Sequence, residues 1–178
     1  MIITKGDTSK VTNNFTMNEF YCKSFNAPKS HYFDEKLIQV AQYLRDLTHA
    51  SVIIDSSFRT KEHQAVLIAN IQGAAKNSQH ELGKAVDLKF ATPQILASLC
   101  GSIDNKDAIF KKLRQLGVRG FGLYDTFIHL DTREGVAVHR DEFGTYALWD
   151  NRKKKVKLQA TLSLPILKRT DTQIRRGI

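Results

Sequence analysis

Cysteine, proline and tryptophan are scarce in this 178-residue sequence, with two, three and one copies respectively. The two cysteines, Cys22 and Cys100, sit in no metal-binding pattern. They exclude a disulfide framework and a cysteine-ligated zinc module, and they point to a reducing compartment. The prolines stand far apart at Pro28, Pro93 and Pro165 with no repeat or low-complexity tract between them, so nothing marks a second globular domain. Long apolar runs are missing as well. None approaches the roughly 20 residues that a membrane span needs, and the N-terminal MIITKGDTSK lacks the apolar stretch of a signal peptide. The expectation is a chain with no membrane span and no export signal of its own, made in the cytoplasm.

What is present is ordinary for a globular protein: 42% apolar and 25% charged residues, on a chain long enough to bury one core. The net charge of +9 is unevenly placed. Residues 151–178 hold nine basic side chains and one acid, whereas residues 1–150 carry 18 basic and 17 acidic ones. The chain therefore divides into a nearly neutral domain, 1–150, and a basic C-terminal extension, 151–178. Such an extension is either a solvated tail or a contact for an anionic polymer. No apolar patch argues for an oligomer, and a monomer is expected.

Periodicity places the elements. Thr16 and Glu19 form a capping box for a short helix carrying Met17 and Phe20. Residues 34–49 repeat Leu37, Val40, Ala41, Leu44 and Leu47 at helical spacing behind acids at the front. The β-branched run 51–55 reads as a core strand, 61–71 as a helix and 73–79 as a loop. Across 84–90, Val86 and Leu88 face one way and Ala85 and Asp87 the other. Helices are expected over 92–100, opened by Thr92 and Pro93, and over 107–116. Gly117, Gly120 and Gly122 punctuate a turn region before the strand 127–131, in which Phe127, His129 and Asp131 oppose Ile128 and Leu130. Without a regular βαβ alternation, the fold class is α+β, a small, largely antiparallel sheet packed with helices.

His80, Asp87 and His129 lie at the edge or on the exposed face of apolar elements. Two imidazoles and a carboxylate can hold a zinc ion and leave a fourth position for a water acidified to a pKa near about 7. Residue type and placement alone favour hydrogen-bonded structural histidines over a metal site. Of the others, His63 reads as a helix-start residue, and His31, His49 and His139 as surface or structural.

The segments SSFRTKEH (56–63), AAKNSQHELGKAVDL (74–88) and GFGLYDTFIHLDTR (120–133) add context. In that order they resemble the zinc D-Ala-D-Ala carboxypeptidases and their L,D- and D,D-endopeptidase relatives that cut peptidoglycan peptides. That family shares its core fold with the vancomycin-resistance D,D-dipeptidases and the hedgehog signalling domain. FTMNEFYC (15–22) is similar to the lead-in helix of phage-encoded members, and the resemblance covers roughly 15–133, with Trp149 closing the domain.

The resemblance implies Zn2+ as cofactor, with His80, Asp87 and His129 as its ligands. It implies that Arg59 holds a substrate carboxylate or carbonyl, a task that suits a guanidinium fork, while an ion pair with a nearby acid is the alternative. Ser78 and Gln79 are expected either to shape the substrate pocket or to cap the loop. Several relatives carry an acid three positions before the last histidine, where this chain has Thr126. The general base is then Asp131 or Asp125. Asp131 is preferred, as base or as the partner that orients His129, because Asp125 needs a bulge to reach the metal. Gln64 stands where an asparagine is common, the stretch between His63 and His80 is longer than usual, and Tyr124 either hydrogen-bonds substrate or packs on the sheet.

Two functional readings follow. The first is a zinc metallopeptidase cutting peptide cross-links or D-Ala termini of peptidoglycan, expected in phage lysis as an endolysin that reaches the wall through a holin. The second is a non-catalytic zinc-binding module of a phage particle whose basic tail engages nucleic acid or wall polymer.

Overall fold

In the computed structural model, which describes residues 1–70, 75–135 and 137–153, the helices begin at the side chains that cap them. Asp34 accepts the Lys36 N–H at 3.1 Å and opens α1 (Glu35–Thr48), whose Leu37, Ile38, Val40, Ala41 and Leu44 are buried. α2 (Lys61–Asn70) follows the Arg59 segment and buries only Gln64. Thr92 Oγ1 accepts the Ile95 N–H at 3.3 Å ahead of α3 (Pro93–Asp104), which runs beyond the expected end at residue 100 because Ser102 and Ile103 are buried too. Asp107 caps α4 (Ala108–Gln115). The Thr16–Glu19 capping box is present, but it opens a single 3-10 turn, Met17–Phe20.

Eight strands occur among the described residues. β1 (Ile2–Thr4) and β2 (Ser30–Tyr32) form a separate antiparallel pair. The main sheet comprises β3 (Val52–Ser56), β4 (Ala85–Phe90), β5 (Gly120–Leu123), β6 (Ile128–Asp131), β7 (His139–Asp141) and β8 (Gly144–Asp150), in the order β3-β4-β6-β5-β8-β7. Every pairing is antiparallel except β5 with β8, so the α+β class holds with a mixed sheet. The 120–122 stretch is a strand and not the turn that its glycines suggested. The β7–β8 hairpin is fastened by Arg114, 1% exposed, which donates to both carboxylate oxygens of Asp141 at 2.9 Å and lies 4.8 Å over the Tyr146 ring.

One face of the sheet is apolar. Val86, Leu88, Phe121, Leu123, Ile128 and Leu130 join the core with Leu37 and Leu44 of α1, Leu99 and Ile103 of α3 and Phe110 and Leu113 of α4. Cys22 and Cys100 are buried free thiols. The start of the basic extension belongs to the folded domain: Asn151 N–H donates to Leu123 O at 2.8 Å, and Arg152 pairs with Asp150 and Asp104. Residues 154–178 lie outside the described residues. Among the described residues no helix is long and apolar enough to cross a membrane.

Candidate metal centre

The face of the sheet turned away from the helices carries a polar row. Successive strand registers set Ser56 opposite Asp87, Asp87 opposite His129, His129 opposite Gly122 and Gly122 opposite Trp149. An irregularity between Ile54 and Ser56 brings Ser56 into that row, as a bulge does by re-aiming a side chain. The row is not open to solvent as alternation alone had suggested. Asp87 is 6% exposed, because Arg59 covers one end of the row and Trp149 packs on His129 at the other. His80, 3% exposed, enters from the 3-10 turn Gln79–Leu82.

These side chains converge. His80 Nε2 is 3.3 Å from Asp87 Oδ1, His129 Nδ1 is 2.9 Å from the same oxygen, and the two nitrogens are 3.2 Å apart. Tetrahedral zinc ligands at about 2.0–2.1 Å stand about 3.3 Å from one another, so the triangle is close to one face of such a tetrahedron. The outward nitrogens are engaged. His80 Nδ1 lies 2.5 Å from Ser57 O and donates to it, leaving Nε2 as a lone pair, while His129 Nε2 lies 3.1 Å from Asp131 Oδ2. Histidine ligands are commonly held in this way, through the nitrogen that does not touch the metal. The donor set fits a zinc ion.

Electrostatics gives the same picture from the metal-free side. Burial drives the His80 pKa down, so this ring stays neutral. Burial also opposes charge on His129, but hydrogen bonds to Asp131 and Asp87 outweigh it and raise that pKa to about 9. Asp87 is held well below the ordinary carboxylate range, burial notwithstanding, by His80 and His129. A proton on His129 Nδ1 thus stands where a cation belongs, and metal must displace it. Zinc uptake at pH 7 is therefore expected to release about one proton, and apparent affinity to fall about tenfold per pH unit below pH 9. Calorimetry in buffers of different ionisation enthalpy reads that proton. Uptake without release would show that His129 is already neutral.

Arg59 stands beside the donor set. Nη1 donates to Gln64 Oε1 at 2.8 Å, and Nη2 donates to Ser56 Oγ at 3.0 Å and lies 3.5 Å from Asp87 Oδ2. Burial draws its pKa down, and the Asp87 charge partly offsets this. Gln64, 3% exposed, spends its other amide end on Ala75 O at 2.7 Å and so ties the guanidinium to the loop before His80. The Gln-for-Asn difference was legible in the sequence, but its clamp on Arg59 was not.

The remaining expected residues separate. The Ser78 hydroxyl caps the turn that delivers His80, accepting its N–H at 3.3 Å, while Glu81 reaches back to the Ser78 N–H. That fits the capping alternative. Gln79 is half-buried at the first position of the same turn. Asp131 is fully buried behind His129, and its oxygens receive the Arg133 side chain at 2.6–3.1 Å. Of the two roles open to it, this geometry fits orientation of His129 and not a base facing the metal. Asp125 is exposed and accepts from Lys153 N–H at 3.3 Å. His31 is buried and structural: its Nε2 accepts the Cys22 N–H at 3.0 Å, and its ring stacks on Phe58. His49 ends α1 in the left-handed region, His139 stacks on Tyr146, and the His63 N–H donates to Thr60 Oγ1 at the start of α2.

No curated protein and no solved structure matches the chain. The family model described as Peptidase M15 matches residues 13–131, a span that contains Arg59, all three convergent donors and Asp131. That match covers well over half of the sequence, and it establishes that the chain belongs to the Peptidase M15 family.

Proposed function

We propose that the chain is a zinc-dependent peptidase that hydrolyses peptide cross-links or D-Ala termini of bacterial peptidoglycan. The observation that carries this reading is the convergence of His80 Nε2, Asp87 Oδ1 and His129 Nδ1 within 3.3 Å of one another, beside a guanidinium. Bound zinc supplies Lewis-acid polarisation of a carbonyl and acidification of water. The chain's own residues do the rest. Asp87 turns one oxygen to the imidazoles and the other to Arg59, so the carboxylate that would hold the metal also aims the guanidinium. Arg59, with Nη1 and Nη2 fixed by Gln64 and Ser56, offers its remaining N–H groups to a substrate carboxylate or carbonyl. Asp131 keeps the Nε2 proton of His129 in place so that Nδ1 faces the site.

The similarity of 15–22 to the lead-in helix of phage-encoded relatives supports a role in phage lysis, with the wall reached after release from the cytoplasm. One observation favours the second reading, a non-catalytic zinc module of a phage particle: position 126 is threonine, and Asp131 is committed behind His129. The two readings diverge in one experiment. Zinc-loaded protein is incubated with isolated peptidoglycan with and without chelator, and released fragments are identified by mass spectrometry. Chelator-sensitive fragments are expected and would name the bond cut. Stoichiometric zinc with no fragments from several wall types would leave the non-catalytic module.

A further inference from the structure

The wall of the site remote from Arg59 is built by β8, a strand beyond the family match. β8 sets Trp149 opposite Gly122, and a Cβ at residue 122 would stand 2.6 Å from Trp149 Cε2, so only glycine lets the indole lie across β5. There the ring packs on His129 with centroids 5.2 Å apart, lies 5.1 Å from the Arg133 guanidinium, and donates its Nε1–H to the Tyr124 hydroxyl at 3.1 Å. Tyr124 is half-buried and stacks on Phe127, with centroids 4.2 Å apart and planes 12° from parallel.

Tyr124 is thus fixed twice, by its ring and by its oxygen. A phenol has one proton, and here its oxygen is already an acceptor, so the O–H points away from the indole. No acceptor for that proton occurs among the described residues. Arg59 is anchored at the Ser56–Asp87 end of the polar row and Tyr124 at the Trp149 end, so the two donors bracket the metal-ligand set.

We propose that Tyr124 is a substrate-contacting residue whose hydroxyl, held by Trp149, donates a hydrogen bond to a carbonyl oxygen of a peptide lying across the row between it and Arg59. The inference rests on the peptidase reading and adds to it a contact that depends on a strand outside the matched span.

The test uses the full zinc-loaded chain as wild type, Tyr124→Phe, Trp149→Phe and the double variant, with soluble peptidoglycan peptides as probe. Readouts are kcat, KM, zinc content, and calorimetric affinity of the same peptides for the metal-free protein. Tyr124→Phe keeps the ring on Phe127 and removes only the donor, so peptide affinity is expected to weaken about three- to tenfold, kcat/KM to fall about tenfold and zinc content to stay unchanged. In the Trp149→Phe background, adding Tyr124→Phe is expected to cost nothing further, because the hydroxyl is no longer held there. A Tyr124→Phe variant within twofold of wild type on both binding and turnover overturns the inference, as do losses that multiply in the double variant. Peptides that the wild type neither binds nor cuts would remove the peptidase reading and this inference with it. Binding and cleavage shared equally by wild type and Tyr124→Phe would remove the inference alone.

Discussion

His80→Ala and His129→Ala are each expected to abolish stoichiometric zinc binding and to lower kcat/KM on peptidoglycan peptides by on the order of a thousandfold or more. Each substitution leaves two of three donors, and a bound metal contributes several kcal/mol of transition-state stabilisation, at about 1.4 kcal/mol per factor of ten. Metal-free stability should fall in both variants. His80→Ala removes the donor to the buried Ser57 carbonyl, and an orphaned buried acceptor costs about 1–3 kcal/mol. His129→Ala removes the cation between the buried Asp87 and Asp131 carboxylates, leaving Asp131 to Arg133 and Asp87 to His80 and Arg59. Metal analysis and thermal melts of the metal-free proteins check both parts: neither variant should hold zinc, and both should melt below the wild type. A variant that keeps wild-type turnover after losing its imidazole would remove that residue from the metal centre.

The helices were legible because their caps are local chemistry. Asp34, Thr92 and Asp107 each accept an N–H two or three residues on, and nothing distant is needed to place them. The convergence of Asp87 and His129 was legible for a related reason, since period two already put them on the sides opposite Leu88 and Leu130, and the register sets them directly across from each other. What failed was whatever depends on a distant partner. Two glycines in three residues at 120–122 read as a turn, yet each is absent a side chain because something else fills the space. A Cβ at Gly120 would collide with the Asp131 carboxylate and one at Gly122 with the Trp149 indole. Alternation likewise says which residues oppose the core but not what covers them, so an Arg59 ion pair with a nearby acid was open but the burial of Asp87 beneath it was not foreseen. The β7–β8 hairpin escaped because its anchor, Arg114, lies 27 residues from its partner Asp141.

Asp131 separates a catalytic base from a positioning residue, and two substitutions decide between them. Its carboxylate is fully buried, and although burial opposes charge, Arg133 and His129 hold its pKa down to about 2. A folded-state value below the ordinary 3.8 means that the ion contributes stability above that pH, about 2 kcal/mol, and loses it as pH falls toward and through 2. Asp131→Ala strands the half-buried Arg133 and the Nε2 proton of His129 together, with an expected loss of about 3 kcal/mol in denaturant unfolding. Asp131→Asn can keep an oxygen for that proton; it removes the charge and turns an amide NH2 toward the Arg133 N–H groups that Oδ1 now accepts. If Asp131 orients His129, Asp131→Asn should bind zinc about 10- to 100-fold more weakly, and saturating zinc should bring kcat back to near the wild-type value. If Asp131 were the base, zinc affinity would hold while kcat at saturating zinc fell about 100- to 10,000-fold. A zinc titration of turnover in this one variant therefore reads the role directly, and the burial of the carboxylate behind His129, on the side away from Nδ1, predicts the first result.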